Sequence, residues 1–143
     1  MMKKIISLLS IILIFTVFLI GCTASFDVNE TIKNLEKSGL KVGFDYKSEQ
    51  ELKNATNVIN GEIKIMGGDF TVELKGAKAL IENNDYSKSV IIYTFANKEQ
   101  AKAYGELYVK GRGESKWKVA INNELVILTN LKNAVKTINL EFK

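Results

Sequence analysis

Residues 5–20 form an apolar run interrupted only by Ser7, Ser10 and Thr16, and the run stops at the one cysteine of the chain, Cys22. Lys3 and Lys4 precede it as a positive flank. A basic start, an apolar stretch and a small-residue closure make up an export signal. The stretch is short for a helix that must cross the hydrocarbon of a bilayer. The chain therefore divides into a signal over 1–21, a short tether over 22–27 and a domain over 28–143. Taking 21 residues from 143 leaves 122, enough for one core that needs no disulfide or metal.

The closing Leu19-Ile20-Gly21-Cys22 resembles the lipobox of bacterial lipoproteins, in which an aliphatic residue and two small or aliphatic residues precede an acylated cysteine. The resemblance implies cleavage before Cys22 and a thioether-linked diacylglycerol on it, with acyl chains of the palmitate kind. An uncleaved signal anchor beside a chance cysteine is the alternative. Both readings place the domain at the cell membrane, on its extracytoplasmic face. One acyl chain holds a protein only marginally and two hold it stably. No long Ser/Gly-rich linker follows, so the domain is expected close to the bilayer.

Lys3 and Lys4 leave with the signal, so 20 basic residues become 18 against 16 acidic ones. That balance, with Arg112 the sole arginine, argues against a nucleic-acid partner. The sequence has no histidine, which removes the commonest general base and zinc ligand. An acylated Cys22 is unavailable as nucleophile or thiolate ligand. No cofactor, metal or catalytic constellation is expected.

Asp27-Val28-Asn29-Glu30 reads as a capping box for a helix over 28–38 that Gly39 ends. Leu40, Val42 and Phe44 then alternate as a strand. Ser48-Glu49-Gln50-Glu51 caps a second helix, expected to stop at Gly61. A hairpin is expected next: Ile63 and Ile65, a Gly67-Gly68 turn, then Phe70, Val72 and Leu74. A weak helix over 77–82 follows. The β-branched and aromatic stretch 89–95 is a strand, and Asn97 caps a helix carrying Ala101, Tyr104, Leu107 and Tyr108. Trp117, Val119 and Ile121 lead to a turn at Asn122-Asn123, a strand over 125–129, and a last helix with Leu131, Ala134, Val135 and Ile138 on one face.

The class is α+β, a mostly antiparallel sheet with amphipathic helices packed on it. Phe44-Asp45-Tyr46 before Ser48 aligns with Tyr93-Thr94-Phe95 before Asn97, and Leu74-Lys75-Gly76-Ala77 with Leu131-Lys132-Asn133-Ala134. Two βαββα units preceded by one helix are expected on that basis, chance alignment being the alternative. The arrangement is loosely similar to ferredoxin-like split βαβ units. A strand ending in aromatics before a capped, Ala-bearing helix also resembles small uncharacterised lipoproteins of Gram-positive bacteria.

Carboxylates are the main acid–base chemistry left. Glu49 and Glu51 suit a helix start, and Asp45, Asp69 and Asp85 are expected beside turns. Nothing nominates a catalytic pair. The aromatics Phe44, Tyr46, Phe70, Tyr93 and Phe95 fall on expected strands, with the members of each pair on one face. Core packing or a tyrosine-lined groove accounts for them. The most distinctive stretch is 110–118, where Lys110, Arg112, Lys116 and Lys118 stand against Glu114 beside Tyr108 and Trp117. It reads either as an anionic-surface contact or as a solvated connection with Trp117 turned into the core.

These features lead to the expectation of a lipid-anchored, non-catalytic binding or interaction module with the membrane and an unknown protein or envelope partner. An envelope-maintenance protein that recruits an exported partner is the second reading. An enzyme using carboxylate, Lys, Ser or Tyr chemistry is the third.

Overall fold

A computed structural model describes residues 25–113 and 115–143. The signal over 1–21, the lipidation site Cys22 and Glu114 lie outside the described residues. Among those described, four helices surround one antiparallel sheet, an α+β architecture.

Helix α1 (Val28–Lys37) starts where the Asp27 carboxylate accepts from the N–H groups of Asn29 at 2.9 Å and Glu30 at 3.1 Å. These are two of the donors that a helix start leaves unpaired. It ends at Gly39, whose φ of 104° suits glycine, and the Leu40 N–H returns to the Leu35 carbonyl. Strand β1 (Lys41–Tyr46) follows. Ser48 and Glu51 then close the expected capping box of α2 (Glu49–Ile65).

Helix α2 does not stop at Gly61. A mid-helix glycine costs only about 1 kcal/mol against alanine, whereas Ile59 and Ile63, one turn apart, are both buried on the sheet and repay roughly 1.5–3 kcal/mol each. Gly67, at φ 83°, ends the helix, and the Gly68 N–H bonds to the Ile63 carbonyl at 2.8 Å. The Gly67-Gly68 pair therefore caps a helix, where a hairpin turn was expected. Any Cβ on Gly68 would meet the Ile63 and Leu107 side chains at 2.7 Å.

Phe70 and Val72 lie in the connection that follows α2, and neither is on a strand. Side chains from the helices bond this backbone in place of a neighbouring strand. Asn60 accepts from the Val72 N–H at 2.8 Å and donates to its carbonyl at 3.1 Å. Thr56 accepts from Leu74 and Gln100 accepts from Glu73.

Residues 77–82 belong to strand β2 (Leu74–Glu82), where a weak helix was expected. Their Ala, Lys, Leu and Glu are good helix formers, but β1 pairs on one side and β3 (Asp85–Phe95) on the other. The β2–β3 turn uses Asn83 and Asn84 at φ 52° and 60°, the geometry of a two-residue hairpin loop. Helix α3 (Lys98–Gly111) is capped by Asn97 as expected. The hairpin of β4 (Lys118–Asn122) and β5 (Leu125–Thr129) and helix α4 (Lys132–Thr137) complete the order.

The sheet runs β1-β2-β3-β5-β4, every neighbouring pair antiparallel. The second half, from β3 to α4, follows the expected βαββα order. The first half does not, because β2 turns directly into β3, and the segment aligned with α4 is a strand. The proposed repeat is thereby corrected.

Both faces of the sheet are covered. Ile59 and Ile63 of α2 and Ala101 and Tyr104 of α3 pack on one face with Phe95, Val126 and Leu128. Leu35 of α1, Ala134 of α4 and Ile138 just after it pack on the other with Leu80, Val90, Ile92 and Ile127. Phe26 packs on this second core too, so the described chain enters on the α1/α4 face. Lys143 exchanges both backbone bonds with Val119 and covers part of the β4 edge.

Candidate functional site: a lysine-rimmed groove beside helix α4

Strand β5 ends at Thr129, and its hydroxyl accepts from the Leu131 N–H at 3.1 Å, turning the chain into α4. Ala134 and Ile138 are buried on the sheet. That rotation leaves Lys132 and Lys136, one turn apart, on an outer flank, with Leu131 and Val135 half-buried beside them.

The flank faces the start of β4. Between them lies a groove of about 840 Å³ lined by Ser115, Lys116, Lys118, Asn130, Leu131, Lys132, Val135, Lys136 and Phe142. Its four lysines are exposed, while Leu131, Val135 and Phe142 are half-buried and supply an apolar lining. Among the described residues no carboxylate lines it, and Glu114, next to Ser115 in the chain, lies outside them. Like charges at i,i+4 repel by a few tenths of a kcal/mol, and no carboxylate among the described lining residues offsets Lys132 and Lys136. A groove of about 560 Å³ beside α2 contrasts with it: Lys47, Lys53 and Lys75 line that one together with Glu49 and Glu73.

The structure divides the four basic residues singled out in the sequence. Lys116 and Lys118 line the groove. Lys110 is exposed in the last turn of α3, where positive charge complements the helix dipole. The Arg112 guanidinium donates to the Trp117 carbonyl and braces the connection. Trp117 is half-buried against the α2/α3 core. Sequence reasoning missed Lys132 and Lys136. Their signal was present as two lysines at i,i+4 on a short helix beside Leu131 and Val135.

A second polar cluster lies between α2 and α3. The Tyr104 hydroxyl donates to Glu62 at 3.2 Å, with the Tyr104 ring 6.1 Å from Tyr93 and 6.0 Å from Tyr108. Burial pushes Glu62 above the usual carboxylate range, and the Tyr104 hydrogen bond only partly offsets this. Burial, then the Glu62 charge, also raises Tyr93, Tyr104 and Tyr108, so all three remain hydroxyl donors at neutral pH. The cluster ties two helices together.

Of the other expected positions, Asp45 lies near the end of β1, just ahead of the short connection into α2, bonded to Lys47 at 3.0 Å and Lys78 at 3.2 Å. Burial alone would raise it, but the two lysines together outweigh that and hold it low. Asp85 starts β3 and accepts from Ser87. Phe44 stacks on Tyr46 at 4.5 Å, and Tyr93 meets Phe95 at 6.4 Å. Both pairs share the α2/α3 face as core packing.

No family model, curated protein or solved structure matches the chain. Among the described residues no three His, Cys, Asp or Glu side chains form a metal-binding group, and no helix is long and apolar enough to cross a membrane.

Proposed function

We propose that this chain is a lipid-anchored protein of the extracytoplasmic membrane face, and that its domain is a non-catalytic binding module for an anionic partner. The observation that carries the binding role is the groove beside α4, with four lysines and, among the described residues, no carboxylate lining it. Support for the anchor comes from Lys3-Lys4, the apolar run and Leu19-Ile20-Gly21-Cys22. Two acyl chains on Cys22 would make that anchor lasting. The test is detergent partitioning with intact mass. Wild-type protein is expected in the detergent phase, carrying acyl mass and lacking residues 1–21. Cys22→Ala is expected as uncleaved precursor or as released protein. A cleaved wild-type chain without acyl mass would refute the anchor.

A second reading, recruitment of an exported protein partner, is favoured by one observation on the opposite face. Val58 and Ile65 of α2 are 62% and 87% exposed, and a spacing of seven puts them on one stripe. Loss of a co-purifying partner on changing both to Ser would support this reading.

A further inference from the structure

We propose that the groove between β4 and α4 docks on the phosphate-bearing surface of the bilayer itself, so that the α1/α4 face is held toward the membrane and the α2/α3 face outward. The inference rests on the anchored reading above and specifies what the groove meets.

Three observations converge on it. The first is charge. Lys116, Lys118, Lys132 and Lys136 surround the groove, no carboxylate among the described residues lines it, and α4 contains no acidic residue. The second is the pairing of these lysines with apolar Val135 and Phe142 in the same lining. A bilayer interface presents phosphate beside hydrocarbon, and lysine stems lie along apolar surface while their ammonium groups reach outward.

The third is the position of the tether. Ser25 and Phe26 share a surface cleft with Thr137 and Asn139, and Thr137 is the residue after Lys136. The tether and the groove thus border the same helix, six residues and roughly 9 Å long. Cys22 is three residues before Ser25, a reach of at most about 11 Å. An anchor that close raises the effective concentration of the surface at the groove. A dissolved phosphate polymer has no such advantage, which is why the membrane is the favoured occupant. Asp27 and Glu30 border the tether cleft, so attraction is confined to the β4 side of α4 and tilts that edge of the domain downward.

The test is lysine footprinting of the full chain, reconstituted in vesicles of phosphatidylcholine alone or mixed with phosphatidylglycerol. Acetylation rates are read by mass spectrometry. Each lysine near an anionic surface gains about fivefold in binding constant. Acetylation at Lys116, Lys118, Lys132 and Lys136 is therefore expected to slow about fivefold on the mixed vesicles. Lys53 on α2 and Lys102 on α3 should not change. High salt, which shortens the Debye length to about 3 Å at 1 M, should abolish the difference.

Lys132→Gln with Lys136→Gln changes only exposed side chains and is expected to remove the protection at Lys116 and Lys118. Lys132→Arg with Lys136→Arg should keep it. Equal rates on the two vesicle types, or equal protection of Lys53 and Lys102, would overturn the proposal. Soluble polyphosphate that protects as well on neutral vesicles as the anionic bilayer does would overturn the membrane as occupant. Intact mass of the same sample reports acylation separately. Missing acyl chains would defeat the anchored reading, while the footprint still decides the groove.

Discussion

Tyr104 is fully buried on α3, and its hydroxyl donates to the Glu62 carboxylate of α2 at 3.2 Å, joining two helices that never touch in sequence. Burial raises Glu62 in the folded state, and the hydrogen bond opposes that rise. A group raised on folding contributes stability that is fully present below its unfolded value, near 4.5, and lost as pH climbs through the folded value. Glu62→Gln keeps an acceptor for Tyr104 and carries no charge. It is expected to leave stability at pH 7 unchanged or raised by up to about 1 kcal/mol, after allowance for partial exposure, and to flatten the stability profile above pH 4.5. Tyr104→Phe removes the donor and should cost about 1–3 kcal/mol. Urea melts from pH 4 to pH 8 check both; a Glu62→Gln profile parallel to wild type would contradict the linkage.

Gly61 and Gly105 are both helical glycines, and their alanine variants should change stability in opposite directions. A Cβ at Gly61 meets nothing within 4 Å, so Gly61→Ala is expected to stabilise by about 0.5–1 kcal/mol through helix propensity. A Cβ at Gly105 would lie 2.5 Å from Ile121 Cδ1 and 2.6 Å from its Cγ1. Overpacking of this kind costs about 1–3 kcal/mol, more than the propensity gain. Thermal melts should show a higher Tm for the first variant and a lower one for the second.

Asn60 takes the place of a missing strand. Asn60→Ala would leave the buried Val72 N–H and carbonyl unpaired, at about 1–3 kcal/mol. Hydrogen exchange at the Val72 amide should quicken, with the Ile92 amide at the sheet centre affected only through global stability. An unchanged Val72 rate would show that the backbone bonds elsewhere.

Arg112 and the α4 lysines should separate cleanly in membrane binding. Arg112 donates to Trp117 and is not a lining residue of the groove. Arg112→Gln is expected to shift Trp117 fluorescence while leaving the protection of Lys116 and Lys118 on anionic vesicles within about twofold. The Lys132→Gln, Lys136→Gln pair should do the reverse, since each lysine near the surface is worth about 1 kcal/mol. Protection lost in Arg112→Gln and kept in the lysine pair would return the site to residues 110–118.

Local chemistry was legible wherever the decisive partners lie within a few residues. Asp27, Ser48 and Asn97 cap helices because a side-chain oxygen reaches N–H groups two or three residues on. Residues 89–95 and 125–129 are β-branched enough to read as strands, and Phe44 stacks on Tyr46 because strand side chains two apart share a face. The α+β class follows from these elements. Tertiary structure decided the rest. Residues 77–82 prefer a helix by composition and become a strand because β1 and β3 bond both their edges. Gly61 stays helical because Ile63 has a core to fill, and Gly67-Gly68 close that helix for the same reason. The groove belongs to this second kind. Lys116 and Lys118 were visible as a local cluster, but Lys132 and Lys136 join them only after β5 returns along β4 and α4 folds onto the sheet. Charge convergence across that distance depends on strand order and helix rotation, which nearby side chains do not fix.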